Sequence, residues 1–395
     1  MSEDHGIPAR TATRAVHAGE ARHKFAGSLI NPISQTATYV FDSLDAFTQF
    51  KAGDLEGYEY GRYGNPTQQV AEQKIAALEG AEAGLLFSSG MSAVTSTLLA
   101  MLSSDEHIVI LGDCYRQTVR FCHMLARYGI SVTSVAAWDW EALARSIRPA
   151  TRIVLTESPT NPHLRVVDID RLVSLGREHD LCIIMDSTFA TPINLRPLEY
   201  GVNLVIHSAT KYLGGHNDLM AGGVFGGETD VAAVREFQRV TGAIVDPLTS
   251  FLLIRGLKTL ALRVERQNHS AMEMALFLDQ HPRIRLVHHP GLPGHPDHTV
   301  AERQMDGYGG VVSFEVDGDL EATRRAVEAL RIPYLAPSLG GVESLATHPA
   351  TMSYYDLSRE ERLQIGITDE LVRYAVGIED VSDLIDDLDA ALSRL

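Results

Sequence analysis

The sequence predicts an α/β fold: a mainly parallel sheet covered by helices on both faces, followed by a smaller α/β unit towards the C-terminus. Three observations carry this expectation. Short apolar runs alternate with helical patterns from Thr67 to His207, the mark of strand–helix–strand units whose sheet is buried on both faces. The chain has 395 residues, more than one core usually organises, so two units are expected. Finally, Tyr115, Asn161, Asp186 and Lys211 each fall at or just past the carboxyl end of an apolar run, where ligands gather in such sheets.

Composition narrows the function. The chain is 45% hydrophobic and 22% charged, ordinary for a globular protein. A net charge of -17 disfavours nucleic acid and anionic membrane surfaces, both of which would repel it. Cys114, Cys122 and Cys182 are scattered and lack CxxC spacing, which points to reduced thiols, a cytoplasmic setting and no zinc site. The N-terminus has no apolar core of the kind a signal peptide needs. No run of about 18 apolar residues suggests a membrane span.

In chain order, residues 1–62 read as an arm with few periodic segments. Asn31 to Phe41 looks extended, and Tyr58-Glu-Tyr-Gly-Arg-Tyr-Gly-Asn-Pro-Thr67 reads as a loop. Its tyrosines and Arg62 suit either an anion-binding element or an exposed turn. Residues 63–255 carry the alternating pattern. Gln68 to Leu78 is an amphipathic helix closed by Gly80, and Gly84 to Val94 is a short strand, a Ser-Ser-Gly turn and a helix start. Strands are expected at His107–Leu111, Ser131–Ala136, Arg152–Glu157, Leu181–Asp186 and Val202–His207, with helices at Gln117–Tyr128 and Ile169–His179. Residues 256–395 form the second unit. A helix-rich stretch from Val231 to Leu278 leads into strands at Ile284–His288, Gly310–Glu315 and Leu371–Val376, and Val381–Leu392 closes as an amphipathic helix.

The chemistry centres on Asn203-Leu-Val-Ile-His-Ser-Ala-Thr-Lys-Tyr-Leu-Gly-Gly215. A lysine just past a buried strand can be an amine in a cleft with a lowered pKa, ready to form a Schiff base. It can equally be a surface lysine in a turn. A pyridoxal phosphate cofactor would need that lysine, a carboxylate for its ring nitrogen, a phosphate cradle, an aromatic face and a donor to its ring oxygen. Lys211, Asp186, the Ser89-Gly90-Met91 turn, Tyr115 and Asn161 could fill those posts in turn, with Ser208 and Thr210 adding hydroxyls to the phosphate. Read alone, Asp186 could instead cap the turn at Thr188. Arg373 lies in an alternating apolar strand, where a guanidinium needs a partner, either a substrate carboxylate or a structural acid. The loop Ser338-Leu-Gly-Gly-Val-Glu-Ser344 could meet it. The histidine run from His288 to His298 is proline-rich and lacks metal-ligand spacing, so no metal site is expected.

With these residues in view, the chain resembles the Cys/Met-metabolism family of fold-type I pyridoxal phosphate enzymes over nearly its full length. The matching signatures are AVHAGE, YEYGRYGNPT, SSGMSA, ESPTNP, MDSTFATP, SATKYLGGHND, PSLGGVES and LVRYAVGIED. Within the family, EYGRYGNPT, GDCYRQT, ESPTNPHLRVVDI, SFEVDGDL and IPYLAPS are most similar to plant-type cystathionine γ-synthases. The resemblance implies a seven-stranded-type sheet, pyridoxal 5'-phosphate as cofactor, and a homo-oligomer, at least a dimer and typically a tetramer. It implies that Lys211 is the Schiff-base lysine and proton shuttle, that Asp186 partners the pyridine nitrogen and that Tyr115 stacks on the ring. Gly90, Met91, Ser208 and Thr210 would hold the phosphate, with Tyr60 and Arg62 reaching it from a neighbouring subunit. Ser338 and Arg373 would bind the substrate carboxylate, and Glu59 and Glu343 would face a distal ammonium.

The implied reaction is γ-elimination or γ-replacement on a sulfur amino acid, with cystathionine γ-synthase or γ-lyase chemistry first. Methionine γ-lyase or a specialised γ-replacement is the alternative, and β-lyase or aminotransferase chemistry is further off. Methionine γ-lyases usually carry cysteine two positions after the stacking tyrosine, where this chain has Gln117. A non-enzymatic pyridoxal-binding regulator would need a DNA-binding domain that the short arm has no room for.

Overall fold

The computed structural model describes residues 10–395. The first nine residues of the arm, and that part of the signal-peptide reading, lie outside the described residues. Seven strands form the larger sheet: β1 (Ala83–Phe87), β2 (His107–Leu111), β3 (Ser131–Val135), β4 (Thr151–Glu157), β5 (Cys182–Asp186), β6 (Leu204–His207) and β7 (Gly222–Gly226). Their order is β1-β7-β6-β5-β4-β2-β3. The run from β3 to β6 is parallel, whereas β7 is antiparallel to both neighbours. Every residue of β1, β2, β6 and β7 is buried. Burial on both faces is why these strands read as continuous apolar runs instead of alternating ones.

β7 was not anticipated, because Gly-Gly-Val-Phe-Gly has little strand propensity. Its glycines serve close approach. A Cβ on Gly222 would lie 2.2 Å from the Ser89 carbonyl oxygen, and one on Gly226 would lie 2.5 Å from that of Asn203. The Trp140–Ser146 helix, capped by Asp139 on the Ala142 amide, was also missed.

The smaller sheet contains β8 (Ile284–His288), β9 (Val311–Val316), β10 (Tyr334–Leu335), β11 (Leu345–Thr347) and β12 (Leu371–Ala375), in the order β10-β11-β12-β9-β8. The two short strands β10 and β11 escaped the sequence reading; the other three fall where it put them. The Leu260–Asp279 helix packs on β8 and β9 and on the closing Val381–Leu392 helix. Its Ala271, Met274, Ala275 and Leu278 join Phe314, Val372 and Leu388 in one apolar cluster.

Among its described residues the arm contains two α-helices, Thr11–His17 and Leu44–Ala52, and a short 3-10 helix at Phe25–Gly27. The first is fastened by charge. Glu20 meets Lys258 at 2.8 Å, Lys74 at 3.2 Å and Lys24 at 3.4 Å. Lys74 is fully buried and also donates to the Val16 carbonyl. The rest of the arm exposes apolar surface at Phe25, Leu29, Val40 and Leu44. No helix among the described residues is long and apolar enough to cross a membrane.

Candidate active site at the carboxyl edge of the large sheet

β6 ends at His207, and the chain turns through Ser208-Ala209-Thr210, with the Lys211 amide donating to the Ser208 carbonyl at 3.1 Å. That turn aims the Lys211 side chain towards the small sheet, where Nζ donates to Ser338 Oγ at 2.7 Å. Burial and then the nearby Arg373 charge bring the lysine down from its ordinary 10.5 to about 8. An amine in that range is still mostly protonated near physiological pH, but it keeps a neutral, nucleophilic fraction that an ordinary lysine lacks.

On β5 and β4, the next two strands beyond β6, the acids gather. Glu157 and Asp186 stand in register on β4 and β5. Asp186 accepts from the Thr188 amide at 3.0 Å and from Thr188 Oγ1 at 2.5 Å, both at Oδ1. The cap reading of Asp186 is therefore geometrically real, yet it uses one oxygen only; no described residue hydrogen-bonds Oδ2. Burial raises the Asp186 pKa, against the lowering pull of Thr188 and of His207. A cation at the free oxygen would reverse that penalty. Glu157 is driven up further, by burial and by Asp186 beside it. It accepts the Tyr115 amide at 2.7 Å, which fixes the start of the Arg116–Met124 helix and leaves the Tyr115 ring half-exposed.

A phosphate cradle lies at the Gly90–Met101 helix. Ser89 caps it by accepting the Ser92 amide at 3.0 Å, and the Gly90 and Met91 amides have no partner among the described residues. Unpaired amides at a helix start favour an anion. Only glycine fits at residue 90: a Cβ there would meet Ser208 Cβ at 2.8 Å. Ser208 Oγ makes no hydrogen bond to any described residue, whereas Thr210 Oγ1 already accepts the Ala221 amide at 3.0 Å and lies 3.2 Å from its carbonyl. Free amine, buried acid, amide cradle and aromatic face thus fit a pyridoxal phosphate group together.

Arg373 enters from β12 and is buried. It donates to Asn161 Oδ1 at 3.0 Å, to the Ser338 carbonyl at 2.9 Å and to Thr347 Oγ1 at 3.4 Å. Its Nε has no partner, and no carboxylate pairs with it among the described residues. The structural ion pair considered above is therefore absent from the described residues. Ser338 reaches both Lys211 and Arg373 because Gly340 sits tight on Tyr212, where a Cβ would be 2.6 Å from the backbone nitrogen. Glu343 accepts from Asn217 Nδ2 at 2.7 Å.

Three residues expected at the site are not brought to it by their own chain. Glu59 is bound to Lys51 at 2.5 Å. Arg62 lies over the Tyr63 ring, 4.7 Å to the centroid, and donates to the Arg239 carbonyl. Tyr60 packs edge-on against Tyr63. Glu59 and Arg62 line a groove against the Pro66–Glu79 and Glu228–Thr241 helices whose walls include none of Lys211, Asp186, Tyr115 or Ser338. Sequence reasoning placed Glu157 only as a strand end and Thr188 only as the residue Asp186 could cap, and gave neither a site role. Both lie inside quoted motifs, and their position at a strand's carboxyl end was the available signal.

A mainly parallel seven-stranded sheet with a lysine, an acid and a helix-start cradle along one carboxyl edge is the fold-type I architecture of pyridoxal phosphate enzymes. The chain belongs to the Cys/Met metabolism PLP-dependent enzyme family, whose model matches residues 12–393. It is 46% identical over 385 residues to cystathionine gamma-synthase 1, chloroplastic, of Nicotiana tabacum, a match covering 96% of this chain and 71% of that protein. It is 41% identical to L-methionine gamma-lyase of Pseudomonas putida, covering 96% of both chains. The crystal structure of metB from Corynebacterium glutamicum superposes with a TM-score of 0.92 at 36% identity, covering 98% of each chain.

Proposed function

We propose that this enzyme makes or breaks the carbon–sulfur bond at Cγ of a sulfur amino acid, in the manner of a cystathionine γ-synthase or γ-lyase. One observation carries the reading: the Lys211 amine and the unpaired, buried Arg373 guanidinium are held side by side through Ser338. An amino acid gripped at its carboxylate by Arg373 presents Cα to a base at Lys211. Pyridoxal 5'-phosphate, when bound, supplies the aldehyde that captures an amine and the electron-withdrawing ring that acidifies the hydrogens of Cα and Cβ. Gly90, Met91 and Ser208 would hold its phosphate, Asp186 its ring nitrogen and Tyr115 its face. Thr210 serves that cradle mainly by pinning it to Ala221, since its hydroxyl is engaged there.

Lys211 Nζ, brought down to about 8 so that part of it is unprotonated near neutral pH, takes the proton from Cα, can take the second from Cβ, and can deliver one to the sulfur or oxygen that leaves Cγ. Ser338 Oγ holds the amine during that transfer. Asn161, held by Arg373, steadies the edge between the two sheets. Glu343 is placed on the Ser338 loop to receive a distal ammonium, which supports a cystathionine- or cysteine-type partner.

We further propose that residues 63–255 bind the cofactor, that residues 256–395 supply the substrate side, and that the arm (1–62) completes the site of a neighbouring subunit. Its exposed apolar residues and the removal of Glu59, Tyr60 and Arg62 from their own chain's site support a dimer, with a tetramer of two dimers as the assembly. The three free cysteines suit a reducing compartment, and we place the enzyme in the cytoplasm. The test is incubation with cystathionine, methionine and an O-acyl-homoserine, each with and without cysteine. Release of 2-oxobutanoate without thiol identifies a lyase, and net cystathionine formation a synthase. Absence of Cγ chemistry on all three overturns the reading.

A further inference from the structure

His163 follows Asn161 and Pro162 in the loop after β4, and it stands between two acceptors. Its Nδ1 lies 3.0 Å from Asp113 Oδ2, in the loop that leads to Tyr115, and its Nε2 lies 3.1 Å from the carbonyl of Gly366, in the segment before β12. Neither partner can donate: one is a carboxylate and the other a backbone carbonyl. A neutral imidazole has a single N–H and would turn a lone pair towards one of them. Only the imidazolium satisfies both. The fit on the small-sheet side is close, since a Cβ on Gly366, whose φ is +77°, would lie 3.1 Å from His163 Cε1. Asp113 is itself built into the site edge, because its carbonyl accepts the Asn161 amide at 3.4 Å, and Asn161 accepts from Arg373.

We propose that His163 is a positioning residue: as an imidazolium bridging Asp113 and Gly366, it fixes the Asn161 loop against the strand that carries Arg373 and so sets the affinity for the substrate carboxylate. This rests on the Arg373 role proposed above. Of the charged and titratable groups around the ring, the carboxylates of Asp113 and of Glu315 on β9 favour the cation. Glu315 lies 3.7 Å from Nε2 of His288 on β8, whose ring centroid is 5.4 Å from that of His163. Beyond them stand Arg285, paired with Glu315 and 3.8 Å from Glu370. On the other side are His295, against the His163 backbone, and the Arg165–Asp297 pair. Burial pushes the His163 pKa down, but the hydrogen bond and charge of Asp113, then the Gly366 carbonyl and Glu315, carry it above its ordinary value. A raised base has its contact in full below its ordinary pKa and loses it as pH rises through the raised one.

The test uses the holoenzyme labelled at histidine Cε1, with the His163 resonance assigned by its loss in His163→Gln. The expected result is a His163 midpoint above 6.5 that falls in Asp113→Asn. At pH 6.5, His163→Gln is expected to raise KM for the amino-acid substrate about fivefold with kcat within about twofold, and the gap to the parent narrows as the parent's own His163 deprotonates. A midpoint at or below 6.5, or an unchanged KM in both His163→Gln and Asp113→Asn, overturns the proposal. The resonance titration needs no turnover, so its outcome stands apart from whether the Cγ reaction itself is correctly assigned.

Discussion

Lys211 Nζ donates to Ser338 Oγ at 2.7 Å, and Ser338 holds that position with φ at +132°. A non-glycine residue in that region carries backbone strain, which persists where the surroundings fix it and often where function uses it. Replacing Ser338 by Gly is therefore expected to stabilise the fold by about 1 kcal/mol while lowering kcat/KM roughly tenfold through loss of the hydroxyl. Ser338→Ala should lose the same activity without the gain in stability. Denaturant unfolding measured beside steady-state kinetics separates the two effects.

Lys211 governs a pH dependence of the cofactor-free chain. Below pH 8 it is protonated in both folded and unfolded states, and the folded state bears the cost of burying the charge. Between about 8 and 10.5 only the unfolded chain keeps the proton, so stability rises with pH across that window. Lys211→Met should flatten much of the rise and abolish turnover together with the cofactor's visible absorption band. Lys74, also lowered to about 8 by burial, retains the remainder. Urea unfolding at a series of pH values reads the slope.

Arg373→Lys tests geometry against charge. Lysine keeps one positive charge but cannot span Asn161, the Ser338 carbonyl and a bidentate carboxylate together. KM for the amino acid is expected to rise about 100-fold, with a much smaller change in kcat. A variant with parental KM would remove Arg373 from the carboxylate site.

If Arg62 works in the neighbouring subunit's site, inactive Arg62→Ala and Lys211→Ala chains should rescue each other. A mixed dimer has one site with both defects and one intact site. Random re-association of equal amounts then restores about a quarter of parental activity. No recovery after verified subunit exchange would place Arg62 outside the partner's site.

Much of this was legible in the sequence, and the reasons are local. β2, β4, β5 and β6 are apolar runs bounded by turns, so periodicity and length locate them to within a residue or two. The closing helix matches at both ends because its apolar spacing is regular and Asp380 caps it. β7 was hidden because its glycines answer to neighbouring backbone, a tertiary constraint with no periodic signature. β10 and β11 were hidden by their brevity. Among site residues, Lys211 and Asp186 could be placed from strand ends alone. The partnership of Lys211 with Ser338 spans 127 positions, and only the folded chain shows it. The same holds for the three lysines on Glu20. Glu20→Gln, which would leave fully buried Lys74 short of its anion, is expected to cost about 3 kcal/mol, measured by denaturant unfolding.

The glycines of β7 have one more consequence. Gly222 backs directly onto the Ser89 carbonyl, so the curvature of the cradle is set by a strand that brings no functional group to it. In a saturation-mutagenesis map, Gly222 should rank with Lys211 among the least substitutable positions, although chemistry alone would never nominate it. The tolerance landscape of this enzyme is thus expected to have two kinds of forbidden ground: positions where a particular atom is needed, and positions where any added atom is one too many.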